Sequence, residues 1–306
     1  HGWTFRIRRL TPDSTNSAIT DDIAISSYAE VVDGKFRYPM SALVGIKVNA
    51  EQFQAIPTRA YHWRGKVIRV PSNYNPETRT YSGVWNGTFK RAWSDNPAWV
   101  YYDVLTSRLS GLGDRVDASM IDRYALYQIG AYCDLLVPDG EGGREPRFRV
   151  GLLYIQSQQD ALRVLNDLTS VFRGMSYWAN GEVVAVADMP SDPVYTYTNA
   201  NVIDGVFEYT GSDLNTRKTV ALVSWNDPSD FYRYKVEVVE EDEGIRRYGI
   251  RKTEVLAFGC TSRGQAQRVG LYHLYTSRME TGGVAFSAGL DGVIPQPGSI
   301  VKIAAR

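Results

Sequence analysis

A helix signature followed at once by a hairpin signature constrains this chain more than any other feature of it. Ser157 stands where a helix N-cap belongs, and Asp160 follows three residues later at capping-box spacing. Ala161, Leu165, Leu168 and Phe172 then recur at three- and four-residue intervals, which predicts one apolar helical face, with Gly174 closing the helix. Asn180-Gly181 next separates two strand-like runs, 175–179 and 182–188, and that dipeptide supplies the positive φ angles of a tight hairpin turn. The segment therefore reads as an α+β unit, ended by the proline-rich residues 189–193.

Upstream the pattern is different. Residues 1 to about 92 read as β-structure, with alternation over 4–10, an apolar strand over 42–48, and hairpin turns at Asp33-Gly34 and Arg64-Gly65. The second turn would join 60–63 to 66–70. Residues 71–76 hold so many turn formers that they read as an ordered loop. Around 93 the signals become helical. Asn96 before Pro97 opens a helix to about 107, and Asp117 caps a second over 118–136, with Ile121, Ala125, Ile129, Tyr132 and Cys133 on one face. An exposed loop over 138–143 and a strand over 147–155 complete this part.

From about 199 the chain reads as mainly β, with strands expected over 202–209, 219–225, 231–239, 254–258, 283–288 and 299–303. One helix interrupts them, capped by Ser262 with Gln265 three residues on and with Ala266, Val269 and His273 facing one way, and it is expected to end near Ser277. The expected organisation is a β-rich domain over 1–92, an α+β domain over 93–198 and a barrel-like β domain with one helix over 199–306. The ends, His1 without an initiator Met and Arg306 just after a strand-like run, suggest an excerpt of a longer polypeptide.

Composition and motifs say more about what the chain does not carry. Lys plus Arg and Asp plus Glu are 34 each, so there is no basic excess of the kind that duplex-gripping proteins show. Cys133 and Cys260 form no CxxC pair and read as buried free thiols. Apolar runs have strand length, far short of the roughly 20 residues of a membrane span. The histidines His62 and His273 have no second His at ligand spacing, so they read as structural or surface residues. The acidic residues Glu237, Glu240, Glu241, Asp242 and Glu243 lack the alternation of a calcium loop and read as a charged hairpin tip before Gly244. Gly111-Leu112-Gly113 lacks the Lys-Ser/Thr of a phosphate loop. Trp93, Trp99, Tyr101 and Tyr102, beside Lys90 and Arg91, would suit base stacking, but packing is the simpler account. No catalytic, cofactor-binding or metal-binding residues are assigned.

Long motifs carry a resemblance. LTPDST (10–15), YPMSALVGIKVNAEQF (38–53), IPTRAY (56–61), VPSNYNPETRTYSGVW (70–85) and NPAWVYYDVLTS (96–107) resemble the tail-tip host-specificity family of lambda-like siphophages. So do VPDGEGGREPRF (137–148), SVFRGMSYWANG (170–181), VSWNDPSD (223–230) and EVLAFGCTSRGQAQR (254–268). The resemblance implies a structural, non-enzymatic virion protein of the tail tip, assembled in the bacterial host cytoplasm as a homotrimer. It implies barrel-like hub domains flanking an α+β domain around the tail channel. The implied partners are other tail-tip proteins, the tape-measure protein, transiently passing phage DNA, and a host outer-membrane receptor bound outside this segment. The family pattern contains no catalytic residues and no cofactor. The alternatives are a receptor- or carbohydrate-binding module of the same virion and, more remotely, a peptidoglycan hydrolase.

Overall fold

The structure, a computed structural model, describes residues 6–16, 18–19, 25, 34–35, 37–38, 41–49, 51–52, 55–56, 58–152 and 161–305. It forms two units, His1–Tyr61 and His62–Arg306. In the first, no helix or strand forms among the described residues. The expected strand over 42–48 is a correction: residues 42–48 have no ladder partner among the described residues and are almost all exposed. A strand without a neighbour leaves its hydrogen bonds to water and gains nothing from extended pairing. Asp33 of the expected Asp33-Gly34 turn, residues 4–5 and 153–155 of expected strands, and the caps Ser157 and Asp160 lie outside the described residues.

The second unit opens with strand β1 (Val67–Pro71), a short hairpin of β2 (Tyr74–Asn75) and β3 (Thr80–Tyr81), and β4 (Phe89–Trp93), which pairs antiparallel with β1. The Arg64-Gly65 hairpin does not form. β1 takes its partner from downstream, Val67 opposite Trp93, because that pairing turns Ile68 and Val70 into a core. The expected loop at 71–76 contains β2, whose Tyr74 ring is fully buried.

Helix α1 (Pro97–Thr106) starts as its sequence predicts, with the Asn96 side chain accepting from the Ala98 amide. The second helix starts later than expected. Asp117 caps only a 3-10 turn, Ala118–Met120, and Asp122 caps α2 (Arg123–Asp134) by accepting from the Tyr124 and Ala125 amides. Ile121 between them makes an isolated parallel bridge to Val183, which takes it out of the helix. A small hairpin, β5 (Leu136–Pro138) with β6 (Arg144–Pro146), brackets the expected loop. The expected strand from 147 is extended chain without a ladder through 152, its amides bonded to separate places: Phe148 to Cys133 O, Val150 to Asp95 O and Gly151 to Gly259 O.

Helix α3 (Ala161–Val171) buries Val164, Leu165 and Leu168, and the hairpin β7 (Gly174–Ala179) with β8 (Glu182–Ala187) turns at Asn180-Gly181 with positive φ at both. Arg173, not Gly174, takes the left-handed position after α3. Gly174 serves close packing instead: a Cβ there would lie 2.4 Å from Val186 O. One hydrophobic core runs from Ile68 through Trp99, Ile129 and Leu168 to Ala187, so residues on both sides of position 92 share it.

The last part contains β9 (Tyr195–Thr198), β10 (Glu208–Gly211), β11 (Val220–Asp227), β12 (Arg233–Glu240), α4 (Asp242–Tyr248), β13 (Lys252–Leu256), α5 (Arg263–Met279), β14 (Gly282–Ala285) and β15 (Val301–Ala304). Its centre is a three-stranded sheet, order β12-β11-β13, antiparallel on one side and parallel on the other. Helix α5 covers one face through Ala266, Gly270 and Leu274 with Val269 packed beside them; of the expected line Ala266, Val269 and His273, only His273 is exposed. Gly270 permits the contact, since a Cβ there would lie 2.7 Å from Val239 Cγ2. The pairs β10/β14 and β9/β15 are separate two-stranded sheets, and among the described residues no closed barrel forms. The structure is thus mixed α+β without the expected barrels. Among the described residues no helix is long and apolar enough to cross a membrane.

Candidate assembly surface

Residues with chemical potential in the sequence are mostly consumed by packing. Trp99 and Tyr101 are fully buried, Tyr102 stacks on Phe89 at 4.5 Å, and Trp85 stacks on Tyr127 at 4.9 Å. Of Trp93, Trp99, Tyr101 and Tyr102, Trp93 alone stays half-exposed, with the Arg64 guanidinium 4.9 Å from its centroid. Both cysteines are free and buried, and burial pushes the Cys260 thiol up to about 11. Such thiols are inert. His62 Nε2 lies 2.7 Å from the Tyr232 hydroxyl. Burial of part of its ring, with Arg173 nearby, lowers the His273 pKa. Gly111 and Gly113 lie against the end of α1, where Cβ atoms would meet Val104 O at 2.1 Å and Thr106 O at 2.5 Å. The acidic run is no hairpin tip. Glu241 caps α4 by accepting from the Gly244 amide, and Asp242 and Glu243 occupy its first turn, where negative charge suits the helix dipole. Among the described residues no group of three or more His, Cys, Asp or Glu could hold a metal ion.

Sequence reading gave no hint of a buried ionic node in the first core. Arg79, held at φ 55°, sends its guanidinium to Asp134 Oδ1 at 2.6 Å and also to Asp95. Asp134 Oδ2 accepts from the Tyr81 hydroxyl at 3.0 Å and from Asn96 Nδ2 at 2.8 Å. Burial raises the Asp134 pKa, and Arg79 pulls the other way. This node ties the β2–β3 hairpin to the start of α1 and the end of α2, which is a structural role.

A second polar seam joins that core to the sheet under α5. Arg268 donates to Glu145 Oε1 at 2.7 Å and to the carbonyls of Pro138, Pro146 and Arg147. Arg263 reaches Glu237 at 2.9 Å, and Gln265 bonds both backbone groups of Arg149.

Two surfaces remain. A cleft of about 1170 Å³ is lined by Trp63, Trp93, Val100, Leu112, Val164 and Tyr232, with the Lys66–Asp103 ion pair, 2.5 Å, on its wall. The sheet face opposite α5 is open: Tyr234 is 71% exposed, Val236 57%, Val238 54% and Leu256 61%. The register sets Val236, Ser224 and Leu256 in one row across the three strands. Exposed apolar side chains grouped on one sheet face make this a candidate contact surface.

Comparison with known proteins finds phage tail relatives. A family model of phage tail proteins matches residues 160–306, and that of the FNIII-A domain of tip attachment protein J matches residues 1–34. Tip attachment protein J of Escherichia phage SECphi27 is 45% identical over 300 residues, 98% of this chain and 25% of that protein. Its counterpart in Escherichia phage SECphi4 is 42% identical over 304 residues, 99% of this chain and 26% of that protein. A crystal structure of the tail protein from Neisseria meningitidis MC58 aligns at a TM-score of 0.35 with 17% identity, over 53% of this chain and 48% of that one. The sequence matches define a phage tail protein. The chain belongs to the tip attachment protein J family, and it spans about a quarter of the length of the relatives it matches.

Proposed function

We propose that this chain is a structural segment of a phage tail tip, without hydrolytic activity, that works by packing against other tail proteins. The observation that carries the reading is 42–45% identity over 98–99% of this chain to about a quarter of tip attachment protein J. The open apolar row of Tyr234, Val236, Val238 and Leu256 supports it, because a segment built for assembly exposes apolar surface that a partner will cover. In the finer form of the reading, three copies surround the tail channel as a hub, tape-measure protein and DNA pass through, and receptor binding lies elsewhere in the polypeptide.

Adsorption competition tests it. The 306-residue chain in excess is expected to leave adsorption of a phage carrying the parent protein unchanged, while the parent's C-terminal fragment competes. Blocking by this chain alone would favour the receptor- or carbohydrate-binding alternative. Turnover of peptidoglycan, abolished by a single carboxylate substitution, would make the segment an enzyme.

A further inference from the structure

We infer that Arg69 and Arg108 form a socket for one acidic side chain of a partner tail protein. The inference rests on the tail-segment reading for the identity of the partner alone, and the chemistry of the socket stands without it. A hollow of about 320 Å³ lies between strand β1, the end of α1 and the loop that follows, lined by Arg69, Thr106, Arg108, Gly113, Val116 and Asp117. That is the small end of ligand pockets, which run from about 300 to 1,000 Å³. Its wall is pinned backbone. The amides of Leu112 and Gly113 donate to Val104 O at 2.9 Å and Ser107 O at 3.1 Å, and the Val116 amide donates to Leu112 O at 2.9 Å.

Positive charge gathers here without an answer. Arg69 and Arg91 stand directly opposite each other across β1 and β4, and like charges in that position cost stability. Arg69 and Arg123 both lie within charge range of the Tyr102 hydroxyl, which brings a further guanidinium close. Among the described residues Arg69, Arg91 and Arg108 form no ion pair. The carboxylate on the rim is already engaged: Asp117 Oδ1 accepts from the Ser119 amide at 2.9 Å and from its hydroxyl at 2.7 Å. Thr106 Oγ1 donates to Tyr102 O at 2.8 Å, so the guanidiniums supply the donors for a ligand.

Shape and charge then select the occupant. A guanidinium fork matches the two oxygens of a carboxylate or of a phosphate. Duplex DNA carries a charge about every 1.7 Å of its axis, so phosphates beside the bound one would meet the exposed Asp114 and Asp117. A lone Asp or Glu side chain enters end-on and brings no second charge.

The arginine Nε–H resonances of the 306-residue chain read the socket directly. N-acetyl-glutamate N-methylamide is expected to shift Arg69 and Arg108 with half-saturation on the order of 10 mM, and its glutamine counterpart to leave them in place. Arg108→Met should weaken the response at Arg69 about tenfold, whereas Arg163→Met, exposed on α3, should not change it. In a phage whose parent protein carries Arg108→Glu, tail assembly is expected to fall, and second-site revertants to replace an acidic residue of another tail protein by Lys or Arg. The inference is overturned by the absence of a saturable shift, or by an Arg69 response that survives Arg108→Met at full strength. It is overturned equally by a DNA duplex that shifts the same resonances at lower concentration, by unchanged assembly, or by revertants confined to this chain. None of these outcomes touches the tail-segment reading, which the adsorption competition decides.

Discussion

Gln265 grips Arg149 with both ends of its amide: Oε1 accepts from the Arg149 N–H at 3.0 Å and Nε2 donates to its carbonyl at 3.0 Å. The side chain thus acts as one rung of a sheet between helix α5 and the extended segment after β6, and it is only 2% exposed. Gln265→Ala would take the side-chain partner from two part-buried backbone groups of Arg149. The expected loss is about 2–4 kcal/mol, read as a lower urea midpoint. A loss under about 0.5 kcal/mol, the size of an ordinary surface substitution, would show that water replaces the amide without cost.

Arg79→Ala should be more damaging still. It strips the counter-charge from Asp134, whose side chain is buried within the first core. Breaking one partner of a buried pair typically costs about 3–5 kcal/mol. Arg79→Ala combined with Asp134→Asn should recover part of that loss, because the remaining group is then neutral. A double variant no better than the single would locate the damage in the β2–β3 turn rather than in the charge.

Helices α1 and α2 touch where Gly130 meets the Trp99 indole, and a Cβ at Gly130 would lie 2.8 Å from Trp99 Cζ2. Gly130→Ala, favourable by helix propensity alone, should therefore destabilise by about 1–3 kcal/mol through overpacking. The indicator is the sign: a rise in melting temperature would mean that the helices separate freely.

Hydrogen bonds from Lys235, and then from Ser229, lower the Asp227 carboxyl pKa to about 2. The folded state then binds this proton less readily than the unfolded chain, where an aspartate titrates near 3.9. The associated stability is present above about 3.9 and is lost as pH falls through about 2. Carboxyl chemical shifts should follow that titration, and Lys235→Met should move the midpoint upward. An Asp227 midpoint unchanged by the substitution would mean that the ion pair does not form in solution.

Local signals in the sequence were legible where they act locally. Asn96 before Pro97 starts α1, Ser262 accepts from the Gln265 amide at the start of α5, and Asn180-Gly181 turns the β7–β8 hairpin. Capping-box spacing marks Gln265, but its side chain leaves the helix for Arg149, more than a hundred positions away. Nothing in a short window announces such a partner. Arg79 was missed for the same reason, since Asp95 and Asp134 reach it only after both helices are packed. The strand expected over 42–48 failed in the opposite way: its apolar run is sound, but a strand exists only where a neighbour does. The open row on β12 was visible as alternation of Tyr234, Val236 and Val238 with charge. Which side stayed uncovered depended on where α5 lay.

Strands β9 and β15 run parallel, with Val301 beside Tyr195 and Ala304 beside Thr198. Tension that draws Tyr195 and Ala304 apart along the strand axis therefore acts lengthwise on the ladder. Every rung is loaded together, instead of parting one after another as in an opening zipper. A join of that geometry yields last under stretching and easily under peeling, so this short pair acts as a mechanical clasp whose strength depends on the direction of pull.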